Sequence, residues 1–169
     1  QVHCVMGARA YDINDERRLP LALLVNILGG PSANSRLNVS LREKNGLSYN
    51  IEASYTPYND CGLAAIYFSS DHSNADHCRE LIDRELDALR RTKLTPRQLS
   101  MAKRQFLAQM AISMESNEGY MLGAGKSFLV HDDIDTMEDV YKKVATVTAD
   151  RIAEAAEEVF SDMSTLIYK

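Results

Sequence analysis

The segment at residues 27–49, with the sequence ILGGPSANSRLNVSLREKNGLSY, constrains the fold more than any other. The Gly-Gly-Pro break at 29–31 must end the apolar run before it, because two flexible residues and a proline ring that fixes φ cannot continue a helix. Asn45 and Gly46 form a second stop, since glycine after a helix takes the left-handed conformation without strain. The segment therefore predicts a helix end, a short second helix and the start of a strand.

The short second helix has its own sequence signals. Ser32, Asn34 or Ser35 could cap its first turn, because a side-chain oxygen there accepts a free backbone N–H. Leu37 and Leu41 lie four residues apart, so they share one face of the helix. We therefore expect this helix to pack through its two leucines.

The hydrophobic pattern of the remaining chain changes between the two-residue period of strands and the 3.6-residue period of helices. Thr95 with Gln98 and Thr136 with Asp139 have the spacing of capping boxes at helix starts. We expect α+β architecture, with a mostly antiparallel sheet and helices packed on one face, because strands meet through a hairpin and helices come in runs. Strands are predicted at 1–8, 47–56, 63–68 and 165–168; helices are predicted at 19–28, 73–89, 95–114, from 117 to about 130, from 136 and from 148.

Size and composition favour a single globular domain. A chain of 169 residues can bury a core without disulfides. Its net charge of −5 argues against nucleic acid or an anionic membrane as a partner. No apolar run approaches the roughly 18 residues that a membrane span needs. Cys4, Cys61 and Cys78 are widely spaced, and we interpret them as buried, reduced thiols.

Several motifs together resemble a known family. ILGG, SRL and REKNGLSY, followed by DCGLAAIYFSSD and TPRQLSMAKRQFLAQMAISMES, are similar to the C-terminal-type domain of the insulinase/pitrilysin zinc peptidases, which include the mitochondrial processing peptidases. The resemblance covers nearly the whole chain in the family's order. It implies that this domain has the fold of one half of a processing peptidase, which is of the LuxS/metallohydrolase-like type. It also implies that residues 1–169 are a single domain, a C-terminal fragment of a longer two-domain peptidase chain.

The zinc motif of that family is missing from this sequence. The family's catalytic half carries His-x-x-Glu-His on a helix, where two His bind zinc and the Glu acts on water. The corresponding helix here reads LPLALLVNILGG, and none of His3, His72, His77 and His131 belongs to such a motif. We therefore expect no cofactor in this domain, zinc in a catalytic partner domain, and no peptidase activity from this chain alone.

Arg42 and Tyr49 are the candidate substrate-binding residues that the resemblance implies. In the family, an Arg and a Tyr with this spacing reach from the C-terminal-type domain towards the zinc site of the opposing half. An Arg fork can hold a substrate carbonyl or carboxylate, and a phenol can donate to a developing oxyanion. Two alternatives remain open: Arg42 could only complement a helix C-terminus, and Tyr49 could be a core tyrosine on the face of Leu47 and Ile51.

The stretch GYMLGAGKS at 119–127 superficially resembles a phosphate-binding loop. The pattern requires glycine where this chain has Tyr120, and the stretch follows a predicted helix, whereas such loops follow a strand. We interpret its small residues as a place where two helices pack closely.

Three functions are compatible with these observations. The first is a substrate-binding and structural domain of a zinc metallopeptidase. Its partners are then a zinc-bearing N-terminal domain or partner subunit and an unstructured peptide substrate, and a homo- or heterodimer is possible. The second is a non-catalytic scaffold or assembly subunit with the same fold. The third is a module that recruits an extended peptide to a sheet edge.

Overall fold

The computed structural model describes residues 1–168, except for the side chain of His131. Four strands form one sheet in the order β2-β3-β1-β4, and every pairing is antiparallel. The α+β architecture and the strand positions are therefore as predicted. The strands are β1 (Val2–Ala10), β2 (Ser48–Pro57), β3 (Gly62–Ser70) and β4 (Ser164–Tyr168).

The helices begin and end close to the predicted residues. Thr95 and Thr136 both form complete capping boxes, in which the threonine oxygen accepts the N–H of the third helical residue and that residue's side chain accepts the threonine N–H. The α-helices are α1 (Arg18–Gly29), α2 (Ala75–Arg91), α3 (Pro96–Glu115), α4 (Asn117–His131), α5 (Met137–Ala145) and α6 (Ala149–Phe160); a π-helix (Asn38–Glu43) and a 3-10 turn (His72–Asn74) lie between them.

The hydrophobic core lies between one face of the sheet and helices α1, α2 and α6. Ile66 and Phe68 on β3, the strand between β2 and β1, are fully buried against these helices. Leu63, on the opposite face of β3, remains 48% exposed. The helices that contribute buried residues therefore lie on one face of the sheet, as predicted.

Helices α3 and α4 pack differently from the other long helices. No described residue of either helix is buried. Leu99, Ala102 and Phe106 of α3 contact the core from its edge, while α4 packs on α3. Lys103 donates to the carbonyl of Ala145 at 2.7 Å and links α3 to α5. Within residues 1–168, no helix is long and apolar enough to cross a membrane.

Candidate functional site

A surface cleft of about 410 Å³ lies where α1 ends, between the π-helix and β2. β2 is an edge strand of the sheet, so the backbone groups on its outer side have no strand partner among the described residues. Arg42 and Glu52 supply opposite charges to the cleft. Its lining consists of Gly29, Gly30, Pro31, Ala33, Asn38, Arg42, Asn50, Ile51, Glu52 and Ala53.

The close approach of α1 to β2 forms one wall of this cleft. A Cβ on Gly29 would lie 2.5 Å from the backbone nitrogen of Ala53 and 2.8 Å from its Cβ. No side chain fits such a gap, so glycine is needed for the helix to end against the strand. The Gly-Gly-Pro break predicted from the sequence therefore also sets the distance between two elements of the site.

The loop after α1 is fixed to α3 by side-chain amides. Asn26 donates to Oε1 of Gln109 at 2.5 Å, and Nε2 of Gln109 donates to the hydroxyl of Ser32 at 2.8 Å. Asn34 donates to Gln105 at 3.1 Å further along the loop. These hydrogen bonds tie the residues on both sides of the Gly-Gly-Pro turn to α3.

The predicted short helix is wider than an α-helix. The N–H of Lys44 donates to the carbonyl of Val39, five residues earlier, at 3.0 Å, which is the π-helical pattern. Gly46 ends the helix with a φ of 60°, as predicted, and Asn45 donates to the carbonyl of Ser40 at 2.7 Å.

The predicted capping of this helix is wrong. Leu37 occupies the N-cap position and makes no side-chain capping bond. Ser35 instead accepts from the amide of Asn38 at 2.8 Å. Leu37 and Leu41 are fully buried, which confirms that the helix packs through its two leucines.

Arg42 projects into the cleft from the last turn of the π-helix. Its side chain is 61% exposed, and its Nε lies 3.9 Å from Oε1 of Glu43. That separation exceeds a hydrogen bond, so the ion pair is loose. Its position also places the cation near a helix C-terminus, so the alternative role predicted for Arg42 is compatible with the same geometry.

Tyr49 lies at a β-bulge near the start of β2. Ser48 pairs with Ser70 and Asn50 pairs with Ser69, so Tyr49 is the extra residue between two consecutive partners. The buried hydroxyl of Ser48 lies 2.9 Å from the carbonyl oxygens of Asn50 and Ser69.

The bulge removes Tyr49 from the face that simple alternation would give it. Its side chain is 63% exposed, whereas Ile51 is buried, so the alternative of a core tyrosine is wrong. Arg42 lines the cleft and Tyr49 does not, although its neighbour Asn50 does. Asn38 and Glu52 also line the cleft and were missed, because in the sequence both look like ordinary solvent-facing polar residues.

The described side chains do not fit a zinc site. No group of three His, Cys, Asp or Glu residues could hold a metal ion within the part of the chain that is described. His3 contacts the hydroxyl of Tyr67 at 2.8 Å, and His77 lies 3.7 Å from Glu80. Cys4 and Cys78 are buried free thiols as predicted, and burial raises the pKa of both; Cys61 is only partly buried.

The glycine-rich stretch in α4 does not pack as expected. A Cβ on Gly123 or on Gly125 would meet no atom within 4 Å. The close helix contact predicted there is therefore wrong at these two positions, which face open space.

Comparison with known proteins identifies the family. Residues 1–106 match the family described as the peptidase M16 inactive domain. The chain therefore belongs to that family, and it is the C-terminal inactive domain found in zinc-protease-like proteins. This confirms the resemblance to the insulinase type of metallopeptidase.

Its relatives are longer proteins. The chain is 28% identical over 162 residues to the uncharacterized zinc protease YmxG of Bacillus subtilis, covering 96% of this chain and 39% of that protein. It is 28% identical to an uncharacterized zinc protease of Streptomyces coelicolor, covering 98% of this chain and 36% of that protein. The chain thus spans well under half the length of both relatives.

Solved structures show the same fold. A protease from Helicobacter pylori superimposes with a TM-score of 0.87 at 19% identity, covering 99% of this chain and 41% of that one. A peptidase M16 inactive domain from Pseudomonas fluorescens gives a TM-score of 0.79 at 21% identity, covering 99% and 41%.

Proposed function

We propose that this chain is a single C-terminal domain of a longer zinc metallopeptidase and that it contacts the peptide substrate while zinc lies on another domain or subunit. The cleft that contains Arg42 beside the unpaired edge of β2 is the observation that carries the proposal. Family membership and the zinc-protease relatives support it. In this proposal the chain does not hydrolyse peptides by itself, since its role is to complete a zinc site that lies on another domain or subunit.

Arg42 binds the substrate in this proposal. Its guanidinium is mostly exposed, and its ion pair with Glu43 is too long to occupy its donors. Two parallel N–H groups match a carboxylate or a carbonyl of the peptide, and such charged hydrogen bonds are stronger than neutral ones. Arg42 therefore orients the peptide in the cleft.

Tyr49 provides a proton donor in this proposal. The bulge turns its phenol away from the core, and 63% exposure leaves it accessible to another domain. A phenol O–H directed at the scissile carbonyl would donate to the oxyanion that develops during hydrolysis. Tyr49 thus acts on the transition state, while Arg42 acts mainly on binding.

The test is peptide cleavage by the full-length protein carrying Arg42→Ala or Tyr49→Phe. Loss of a charged hydrogen bond corresponds to about 1.5–3 kcal/mol, so Arg42→Ala should lower kcat/KM by about 10–100-fold, largely through KM. Tyr49→Phe should lower kcat by about 100-fold, as removal of one oxyanion donor does. Arg97→Ala and Tyr58→Phe are matched controls, since both residues are exposed and lie outside the cleft.

The controls should cleave at the wild-type rate. Unchanged turnover in both Arg42→Ala and Tyr49→Phe, with normal folding, would contradict the proposal and favour a non-catalytic scaffold or assembly subunit.

The free edge of β2 favours a second candidate, a module that binds an extended peptide by strand addition. An edge strand offers alternate N–H and C=O groups to such a peptide. Titration of this chain with an unstructured peptide should then saturate. N-methylation of the alternate peptide residues that donate to β2 should abolish binding, while N-methylation of the intervening residues should not. Absence of saturation would exclude this role.

A further inference from the structure

The outward face of α4 is apolar and uncovered. Met121, Leu122, Phe128 and Leu129 are 63%, 62%, 53% and 86% exposed. Together with Gly125 they recur at helical spacing, so they lie on one side of the helix. These five residues are called the α4 face below.

The packing of α4 is the reverse of that of an ordinary surface helix. Its half-buried positions are Ala124, Ser127 and Val130, while the larger side chains of Met121, Leu122, Phe128 and Leu129 point to solvent. A surface helix normally directs its apolar stripe at the core. Gly125 lets a partner approach the helix backbone closely, because it has no side chain and even a Cβ there would meet no atom within 4 Å. The α4 face therefore has the properties of a surface that another structure covers.

Acidic residues flank the α4 face at both ends. Glu115 and Glu118 lie at its N-terminal end, and Asp132 and Asp133 lie at its C-terminal end; all four are exposed. Among the side chains that the structure describes, none of the four takes part in an ion pair. A second copy, packed parallel or antiparallel, would place acid against acid. The charges instead favour an occupant with an apolar centre and Lys or Arg at its ends.

We propose that the α4 face is a docking surface for another part of the same polypeptide, an apolar segment flanked by basic residues. The two relatives have more than half of their length outside the matched region, which is enough to supply such a segment. The inference rests on the proposed function only in that this chain is one domain of a longer protein. It does not depend on Arg42, on Tyr49 or on catalysis.

Cysteine labelling of the full-length protein tests the proposal. In a Cys61→Ser background, Leu129→Cys probes the α4 face and Met101→Cys, at an α3 position that is 55% exposed, is the control. Maleimide should label Leu129→Cys at least about tenfold more slowly than Met101→Cys, because labelling would require the docked segment to open. Protection should not change on dilution, since the contact is within one chain. Charge reversal with Glu115→Lys and Asp133→Lys, which lie just outside α4, should increase the rate at Leu129→Cys.

Three results would overturn the proposal. Equal labelling at both positions would show an open surface. Protection that disappears on dilution would show a second copy. Protection that appears only after an unstructured peptide is added would show a substrate contact. If a variant does not fold, amide hydrogen exchange of residues 117–131 in the unaltered full-length protein tests whether the α4 face is covered. Neither measurement requires peptide cleavage.

Discussion

Helices α1 and α4 are both rich in apolar residues, yet they have opposite environments. α1 is enclosed by β2, α3 and α6, while α4 packs on α3 at the edge of the fold. Apolar content therefore does not decide burial here; the number of neighbouring elements does. No described residue of α4 is buried, whereas the buried residues of α1 are Pro20, Leu21, Leu23, Leu24, Val25, Leu28 and Gly29.

The two helices therefore belong to two parts of the domain that differ in how much of their apolar surface is buried. The sheet with α1, α2 and α6 contains most of the buried core, and α1 and β2 line the cleft. The α3–α4 edge adds little to the core and exposes the α4 face. Substitutions of the same residue type in the two regions should therefore have very different effects.

The largest expected difference is between two phenylalanines. Phe68 is fully buried on β3, and Phe128 is 53% exposed on α4. Phe68→Ala should reduce the free energy of unfolding of this chain by about 3–5 kcal/mol, because it leaves a cavity in the core. Phe128→Ala should change it by less than about 0.5 kcal/mol. Urea unfolding measures both.

Phe68→Leu provides a milder version if the alanine variant does not fold. It should lose less stability than Phe68→Ala, because most of the buried volume is kept. Similar losses at Phe68 and Phe128 would show that α4 belongs to the core and would invalidate the contrast.

A pair of glycines should give changes of opposite sign. Gly29→Ala forces a Cβ to within 2.5 Å of the Ala53 backbone, so we expect a loss of about 1–3 kcal/mol and distortion of the cleft. Gly123→Ala adds a methyl group in open space inside a helix, so we expect a gain of about 0.5–1 kcal/mol. Thermal and urea unfolding of both variants would check the signs. A stabilised Gly29→Ala variant would mean that the α1–β2 contact is looser than the structure indicates.

Local signals made much of this fold predictable. Thr95, Thr136 and Gly46 mark helix boundaries through contacts with residues at most a few positions away, and all three function as expected. Such contacts depend on sequence alone. The alternation in β1 likewise predicts its buried face, since Cys4 and Met6 point at the core.

The bulge at Tyr49 depends on distant residues and could not be predicted. It is set by the pairing of Ser48 and Asn50 with the neighbouring strand, together with the hydroxyl bond across to Ser69. The inserted residue puts Ser48 on the buried face and leaves Tyr49 exposed. Alternation with Leu47 and Ile51 therefore suggested a core alternative for Tyr49 that the structure does not bear out.

The burial of α3 was also only partly predictable. Phe106, Met110 and Met114 recur at helical spacing in the sequence, which predicts one buried stripe. All three are only partly buried, and only Phe106 packs against the core. Periodicity shows which side of a helix faces inward. It does not show how far along the helix the core extends, because that depends on the length of the neighbouring elements.

The smallest expected difference concerns two carboxylates that each accept a backbone N–H. Asp15 accepts the N–H of Arg17 and also its guanidinium, at 2.7 to 3.2 Å, whereas Asp133 accepts only the N–H of Ile134. The side-chain hydrogen bonds from Arg17, more than any other cause, lower the pKa of Asp15. Asp15→Asn keeps the backbone bond and removes the charge. It should reduce the free energy of unfolding at pH 7 by about 1 kcal/mol, because solvent screens the half-exposed guanidinium.

The pH dependence separates this charge effect from packing. A carboxyl group whose pKa is lower in the folded state stabilises the fold above its unfolded pKa, about 3.9, and loses that contribution as the pH falls through the folded value. The difference between wild type and Asp15→Asn should therefore shrink below about pH 4. Asp133→Asn removes no ion pair and should change the free energy of unfolding at pH 7 by less than about 0.5 kcal/mol. Urea unfolding at pH 7, 5, 4 and 3 provides the measurement. A difference that stays constant down to pH 3 would mean that Asp15 acts through its shape and not its charge, so that the two regions would not differ in their electrostatics.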